Sequence, residues 1–136
     1  MGCSKVYFPE REIHLFMQKV KRATLRQQDF SRTMLASKPG DVIYGDPPYL
    51  PLSASANFTA YHKDDFSLAQ QEHLAQLARQ CAARGIPVLL SNHDTPLARE
   101  LYQGAKLFTL QVQRSISCKG SQRGKANELL ALFVPA

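Results

Sequence analysis

Two polar turns could carry chemistry, because each follows a short apolar run that is typical of a buried strand. Asp46-Pro47-Pro48-Tyr49 follows the run 41–45, and Ser91-Asn92-His93-Asp94 closes the run 86–91. Neither proline can continue a central strand, so the first strand must end at the first turn. Ligands of open α/β sheets bind outside the carboxyl ends of the strands. The two turns therefore predict an active site on one rim of a sheet.

The first turn fits methylation of an exocyclic amino group. Such an amine is a poor nucleophile because its lone pair is delocalised into the ring. The Asp46 carboxylate and the Pro47 carbonyl can both accept its N–H groups, which aims the lone pair at an electrophilic methyl group. Pro47 and Pro48 stiffen the turn, and Tyr49 offers a ring face for a flipped base. The competing interpretation is that Asp46 caps an ordinary turn and Tyr49 packs.

Other polar residues give weaker signals. His93 is compatible with metal or acid–base chemistry, but no second histidine or carboxylate stands near it at ligand spacing, so we predict no metal site. His62, Asp64 and Asp65 are typical of a solvated loop. A basic group near the end of the chain either contacts DNA phosphates or protects a hairpin edge by its charge; it comprises Lys119, Arg123 and Lys125.

The elements that position these turns follow from periodicity and from residues that begin or end helices. One helix follows Pro9, a second begins near Ser67 with Gln70 in a capping-box pattern, and a third follows Pro96. Gly85 and Gly104 end the last two helices. Residues 108–113 alternate as a strand with one wet face, and residues 128–134 are typical of a last buried strand. Helices alternating with strands predict an α/β fold with a parallel sheet, and the last two strands predict an antiparallel C-terminal hairpin at one edge.

Composition excludes several classes of protein. The chain has 136 residues, which is enough for one domain, and 44% of them are hydrophobic. No apolar run is long enough to cross a membrane, and no signal peptide pattern opens the chain. The three cysteines have no CxxC spacing, which favours a reducing, cytoplasmic setting. The net charge of +6 is concentrated towards the two ends and favours a polyanionic partner.

The motifs also resemble a known family, the DNA adenine methylases of the GATC-modifying (Dam) type, which are adenine-specific and use S-adenosylmethionine. Asp46-Pro47-Pro48-Tyr49 looks like their catalytic motif, and the resemblance covers nearly the whole chain from Tyr7 onward. Further similar segments are Tyr7-Phe8-Pro9-Glu10, Pro51-Leu52-Ser53-Ala54, 56–62, 87–94, Arg114-Ser115-Ile116-Ser117 and 128–132.

The resemblance implies a partial Rossmann-like methyltransferase sheet and methyl transfer to the N6 amino group of adenine in double-stranded DNA. Asp46 would also touch the cofactor. The loop from Pro51 to His62 would close over the flipped adenine, with Asn57, Phe58 and Tyr61 as its contacts. A protein of this kind would lie in the cytoplasm, with the bacterial nucleoid or phage DNA, and would need no membrane.

Departures from the family pattern limit this expectation. No two of the seven glycines form the Gly-x-Gly turn that holds the methionine part of the cofactor, and the acidic residue expected on its ribose is missing. We therefore expect 1–136 to be the C-terminal part of a methyltransferase catalytic domain, with a helical segment at 1–34 and a catalytic α/β portion at 41–136. Alone it should be inactive, and a separately encoded N-terminal half would be its partner.

Two alternatives stay open at this point. The first is a non-catalytic remnant that binds DNA through its basic ends. The second, and weaker, is a metal-dependent nuclease or hydrolase that uses Asp46 and His93.

Overall fold

A computed structural model describes residues 8–52, 66–113 and 125–135, which form a mixed α/β fold. The helices are α1 (Glu10–Val20), α2 (Phe30–Ala36), α3 (Leu68–Ala83) and α4 (Pro96–Leu101). The strands are β1 (Ile43–Gly45), β2 (Val88–His93), β3 (Lys106–Gln113) and β4 (Lys125–Phe133).

The strands form one sheet in the order β1-β2-β4-β3. Strands β1 and β2 run parallel, with Gly45 opposite Leu90, so their carboxyl ends share one rim. Strand β4 is antiparallel to both β2 and β3. The predicted fold class is confirmed, with its parallel strands and its antiparallel C-terminal hairpin at one edge.

Helix α3 packs against the sheet and supplies much of the core. Ser67 and Gln70 form the predicted capping box, in which each side chain bonds to the other residue's backbone N–H. Gly85 ends the helix region with a φ of 85°, a conformation that suits glycine. The buried apolar residues of α3 are Leu74, Ala75, Leu77, Ala78, Cys81 and Ala82. They pack with residues of β2 and β4 in one hydrophobic cluster.

The segment before β1 differs in part from the prediction. The helix after Pro9 is confirmed as α1, but none of its residues is buried, and Phe16 of its apolar stripe is 66% exposed. Helix α2 was not predicted. Asp29 begins it by accepting the Ser31 N–H, and hydrogen bonds from Ser31 lower the pKa of Asp29. The division at 1–34 and 41–136 remains a prediction.

Strand β3 is also confirmed, but its apolar residues are not all inside. Phe108 is 50% exposed and Leu110 is 47% exposed, although the alternating pattern gave this strand a single wet face. Strand β3 lies at the edge of the sheet, where only β4 borders it. Among the described residues, no helix is long and apolar enough to cross a membrane.

Candidate active site

The turn that follows β1 sits on the rim formed by β1 and β2. Gly45, the last residue of β1, faces Leu90 so closely that a Cβ atom would lie 2.6 Å from Leu90 Cδ2. Asp46 is exposed, whereas Pro47 directly after it is buried. The turn thus leaves β1 with a carboxylate at the surface and a proline ring fixed against the protein.

Ser91, predicted as the first residue of the second polar turn, is instead a strand residue, because β2 continues through Asn92 to His93; it contacts the first turn. Its hydroxyl lies 2.5 Å from Asp46 Oδ1 and 3.3 Å from the Gly45 carbonyl oxygen. The Tyr44 hydroxyl lies 3.4 Å from the same Ser91 oxygen. Because Ser91 is 2% exposed, its short bond to Asp46 is formed at the edge of the core. The two polar segments that the sequence predicts on one rim are therefore in direct contact, although the second is the end of β2 and not a turn.

Tyr49 packs on His93, the last residue of β2. Its ring meets the His93 ring edge to face, with centroids 5.0 Å apart and an interplanar angle of 82°. Partial burial raises the pKa of Tyr49, and the neighbouring carboxylates of Asp46 and Glu128 raise it further. The Tyr49 phenol therefore stays protonated at neutral pH, and its ring is held beside Asp46.

Leu50, the residue after this turn, is held by side chains from β2. Its N–H donates to Asn92 Oδ1 at 2.8 Å, and its carbonyl oxygen lies 2.5 Å from His93 Nδ1. A carbonyl oxygen can only accept, so the proton of this bond belongs to His93 Nδ1. Asn92 and His93 thus replace the backbone partners that Leu50 would have in a strand.

Behind the turn lies a group that we call the amide cluster: Gln71, Asn92 and Tyr102. All three are 0% exposed. Gln71 Nε2 donates to the Pro48 carbonyl at 2.7 Å. Asn92 Nδ2 lies 3.3 Å from Gln71 Oε1 and 3.0 Å from the Tyr102 hydroxyl. In the described residues no buried side-chain polar atom lacks a partner, so this polar group is fully satisfied.

The sequence prediction named Asn92 only as part of a polar turn and did not name Gln71 as a site residue. A signal for Gln71 exists in the pattern. Position 71 continues the apolar stripe of α3 through Leu74 and Ala78, so a polar residue stands on the buried face of an amphipathic helix. Such a residue must find a buried partner.

A second polar group, the ionic cluster, lies just beyond β2 and comprises Asp94, Arg99 and Thr109. Arg99 Nε and one terminal nitrogen lie 2.6 and 2.8 Å from the two Asp94 oxygens. The Thr109 hydroxyl lies 2.8 Å from Asp94 Oδ2. The Arg99 side chain is 48% exposed. Hydrogen bonds from Arg99 lower the pKa of Asp94, and the hydrogen bond from Thr109 and the charge of Arg99 add to this.

Several predicted site residues fall outside the described part of the chain. Asn57, Phe58 and Tyr61 of the predicted base-contacting loop lie there, as do Lys119 and Arg123. Lys125 is the first residue of β4. Within 8–52, 66–113 and 125–135, no three histidine, cysteine, aspartate or glutamate side chains stand together as a metal site.

The mixed sheet and the Asp46 turn on its rim are consistent with the α/β fold of a methyltransferase. Comparison with known families agrees, because residues 3–116 match the model of the D12 class N6 adenine-specific DNA methyltransferases. The chain belongs to this family.

Curated relatives carry the name DNA adenine methylase. The protein of Escherichia coli (strain K12) is 51% identical over 131 residues, which are 96% of this chain and 47% of the relative. The Salmonella typhi protein is 51% identical over 129 residues, covering 95% of this chain and 46% of that protein. A Vibrio cholerae protein (strain O395) is 48% identical over 132 residues, covering 96% and 48%. The chain spans about half the length of these relatives.

Proposed function

We propose that this chain supplies the base-methylating side of a site-specific DNA methyltransferase, which transfers a methyl group to the N6 amino group of adenine in double-stranded DNA of the GATC type. The observation that carries the proposal is the position of Asp46. It stands exposed at the carboxyl end of β1, held by the Ser91 hydroxyl at 2.5 Å, with Tyr49 directly after the two prolines. Membership of the family supports the same chemistry.

Asp46 and Pro47 would act on the target amine. The Asp46 carboxylate and the Pro47 carbonyl accept its two N–H groups, which turns the nitrogen towards sp3 geometry and directs its lone pair outward. No described residue hydrogen-bonds to the Pro47 carbonyl, whereas Asp46, Pro48 and Leu50 all have partners. As the nitrogen gains the methyl group it loses one proton, and Asp46 is the nearest base to receive it.

Tyr49 would hold the base. An adenine must leave the duplex stack before its amino group can be reached, and flipped bases stack on aromatic rings. The edge-to-face contact with His93 fixes the plane of the Tyr49 ring. His93 therefore orients the ring on which the base stacks.

S-adenosylmethionine would be the cofactor, and it supplies an electrophilic methyl group. The exposed Asp46 carboxylate, at the end of a parallel strand, fits a positively charged ligand. The sequence has no Gly-x-Gly turn for the rest of such a cofactor. We propose that the missing contacts come from residues equivalent to the part of the relatives that this chain does not match, either in the same polypeptide or in a separate one.

The remaining assignments belong to the same proposal. Asn57, Phe58 and Tyr61 contact the flipped adenine, and Lys119, Arg123 and Lys125 neutralise DNA phosphates. Residues 1–34 form a helical segment and 41–136 the catalytic portion. The protein acts on DNA in the cytoplasm.

A chimera tests the proposal. The aligned segment of the Escherichia coli DNA adenine methylase is replaced by this chain, and transfer of radiolabelled methyl groups from S-adenosylmethionine to a GATC duplex is measured. We expect transfer to an unmodified duplex, none to a duplex already methylated at N6, and none from the Asp46→Ala chimera. A folded chimera that binds cofactor and DNA but transfers nothing would contradict the proposal, as would activity of the Asp46→Ala form.

The same assay separates the alternatives. Salt-sensitive DNA binding without methyl transfer would favour a non-catalytic remnant. Strand cleavage that depends on a divalent cation would favour a nuclease. The chain on its own, measured in parallel, is expected to transfer no methyl groups.

A further inference from the structure

We propose that Gln71 is a positioning residue for methyl transfer, and that it acts with Asn92 and Tyr102 through the backbone of the turn that follows Asp46. This inference rests on the proposed function. None of the three side chains is exposed, so none can touch substrate. Their effect must pass through the residues to which they bond.

The hydrogen bonds show how the cluster acts on the turn. Gln71 holds the Pro48 carbonyl at 2.7 Å, and Asn92 holds the Leu50 N–H at 2.8 Å. Ser91, the residue before Asn92, holds Asp46 at 2.5 Å. Partners therefore fix the chain on both sides of Pro47, and the Pro47 carbonyl is the acceptor whose direction they determine.

Gln71 is the informative member because it links two elements. It lies on α3, whereas Asn92 lies on β2, and its side chain joins Asn92 to the turn. Hydrogen bonds among buried groups are strong, and losing one leaves its partners unpaired. Without Gln71 the Pro48 carbonyl loses this partner and Pro48 is free to shift, which displaces the Pro47 carbonyl in the peptide joined to it.

A purely structural role predicts a different result from a positioning role. If Gln71 only stabilised the fold, its loss would lower the melting temperature and leave the kcat of the folded protein unchanged. If it positions Pro47, kcat falls, while the KM values for DNA and cofactor change little because no binding contact is lost. Displacement of a reacting group by about 1 Å can reduce the rate about 100-fold.

The experiment uses Gln71→Met in the chimera described above. Methionine has a similar shape and removes the hydrogen bonds to the Pro48 carbonyl and to Asn92. The control is Gln76→Met, the same substitution at an exposed position of the same helix. We expect Gln71→Met to lower kcat between about 10-fold and 100-fold with KM within about 3-fold, and Gln76→Met to change neither. Tyr102→Phe removes one hydroxyl and should give a smaller fall in kcat.

A second measurement on the chain itself separates this inference from the proposed function. Hydrogen exchange of the Leu50 amide, followed by NMR, should be about 10-fold faster in Gln71→Met than in Gln76→Met, because Asn92 loses one of its partners. An active chimera in which Gln71→Met keeps its kcat would overturn the inference and leave the proposed function standing.

A folded chimera that binds cofactor and DNA but is inactive would contradict the proposed function, and the exchange rate would then decide whether the cluster holds the turn. If the Leu50 amide of Gln71→Met exchanges at an unchanged rate, the claim that the amide cluster holds the turn is overturned as well. If Gln71→Met fails to fold, kcat and the exchange rate of the Leu50 amide are measured in Tyr102→Phe instead. If neither changes in that variant, the inference is overturned.

Discussion

The amide cluster and the ionic cluster are two polar groups whose members Asn92 and Asp94 lie two residues apart in the chain. The first is neutral and closed to water, and it bonds to the turn that carries Asp46. The second carries full charges, and its arginine is half exposed. Buried neutral groups are expensive to leave unpaired, whereas exposed ion pairs are screened by water and salt. The amide cluster should therefore contribute more than the ionic cluster to the stability of the fold and to the geometry of the site.

The largest expected effect is that of Asn92→Ala. It removes the acceptor of the Leu50 N–H and the donor to the Tyr102 hydroxyl, both in the core. The free energy of unfolding, measured with urea, should fall by about 3 kcal/mol. Asn127→Ala, at an exposed position of β4, is the control and should stay within about 0.5 kcal/mol of the parent. A similar loss of unfolding free energy in Asn92→Ala and Asn127→Ala would contradict the view that the buried amide contributes more than an exposed one.

Tyr102→Phe should have an intermediate effect. It removes a buried hydroxyl and keeps the ring, which packs edge to face with Phe133 at 6.2 Å. We expect a loss of about 1 kcal/mol in urea unfolding, because Asn92 keeps its other bonds. Tyr44→Phe removes a hydroxyl from a side chain that is 62% exposed, and it should cost less. Equal losses would show that burial does not set the value of these bonds.

Arg99→Gln should have a smaller effect still, although it removes a two-point ion pair to Asp94. The expected loss is less than about half that of Tyr102→Phe, and it should shrink further at high salt. Urea unfolding at low and high salt measures this. A loss that exceeds that of Tyr102→Phe and does not depend on salt would reverse the ranking of the two clusters.

The smallest effect is the pH dependence due to Asp94. Its pKa is lower in the folded protein than the usual 3.8 because Arg99 donates to its carboxylate. Its contribution to stability is therefore present above the unfolded pKa and is lost as the pH falls through the folded pKa. From about pH 4 downward, the parent should lose stability more steeply than Asp94→Asn. Identical acid denaturation curves for the two proteins would contradict this assignment.

Local sequence signals determined most of the elements. The capping box at Ser67, the glycine at 85 and the prolines at 47 and 48 begin or end their elements through chemistry within a few residues. Charge and periodicity were less informative where burial depends on neighbours. Helix α1 has an apolar stripe that stays exposed, and α2 depends on Asp29 and on Arg84, which donates to the carbonyl groups of Met34 and Leu35.

The sequence by itself therefore placed Asp46 directly after one strand and Asn92 near the end of another, because strand ends, prolines and parallel pairing are local or topological features. Only the tertiary structure decided that Ser91 bonds to Asp46 and that Gln71, 25 positions after Asp46 in the sequence, holds the Pro48 carbonyl. Such bonds require α3 to pack on β2 in one rotation and one register. That fit is set by the whole core, and no short stretch of sequence contains it.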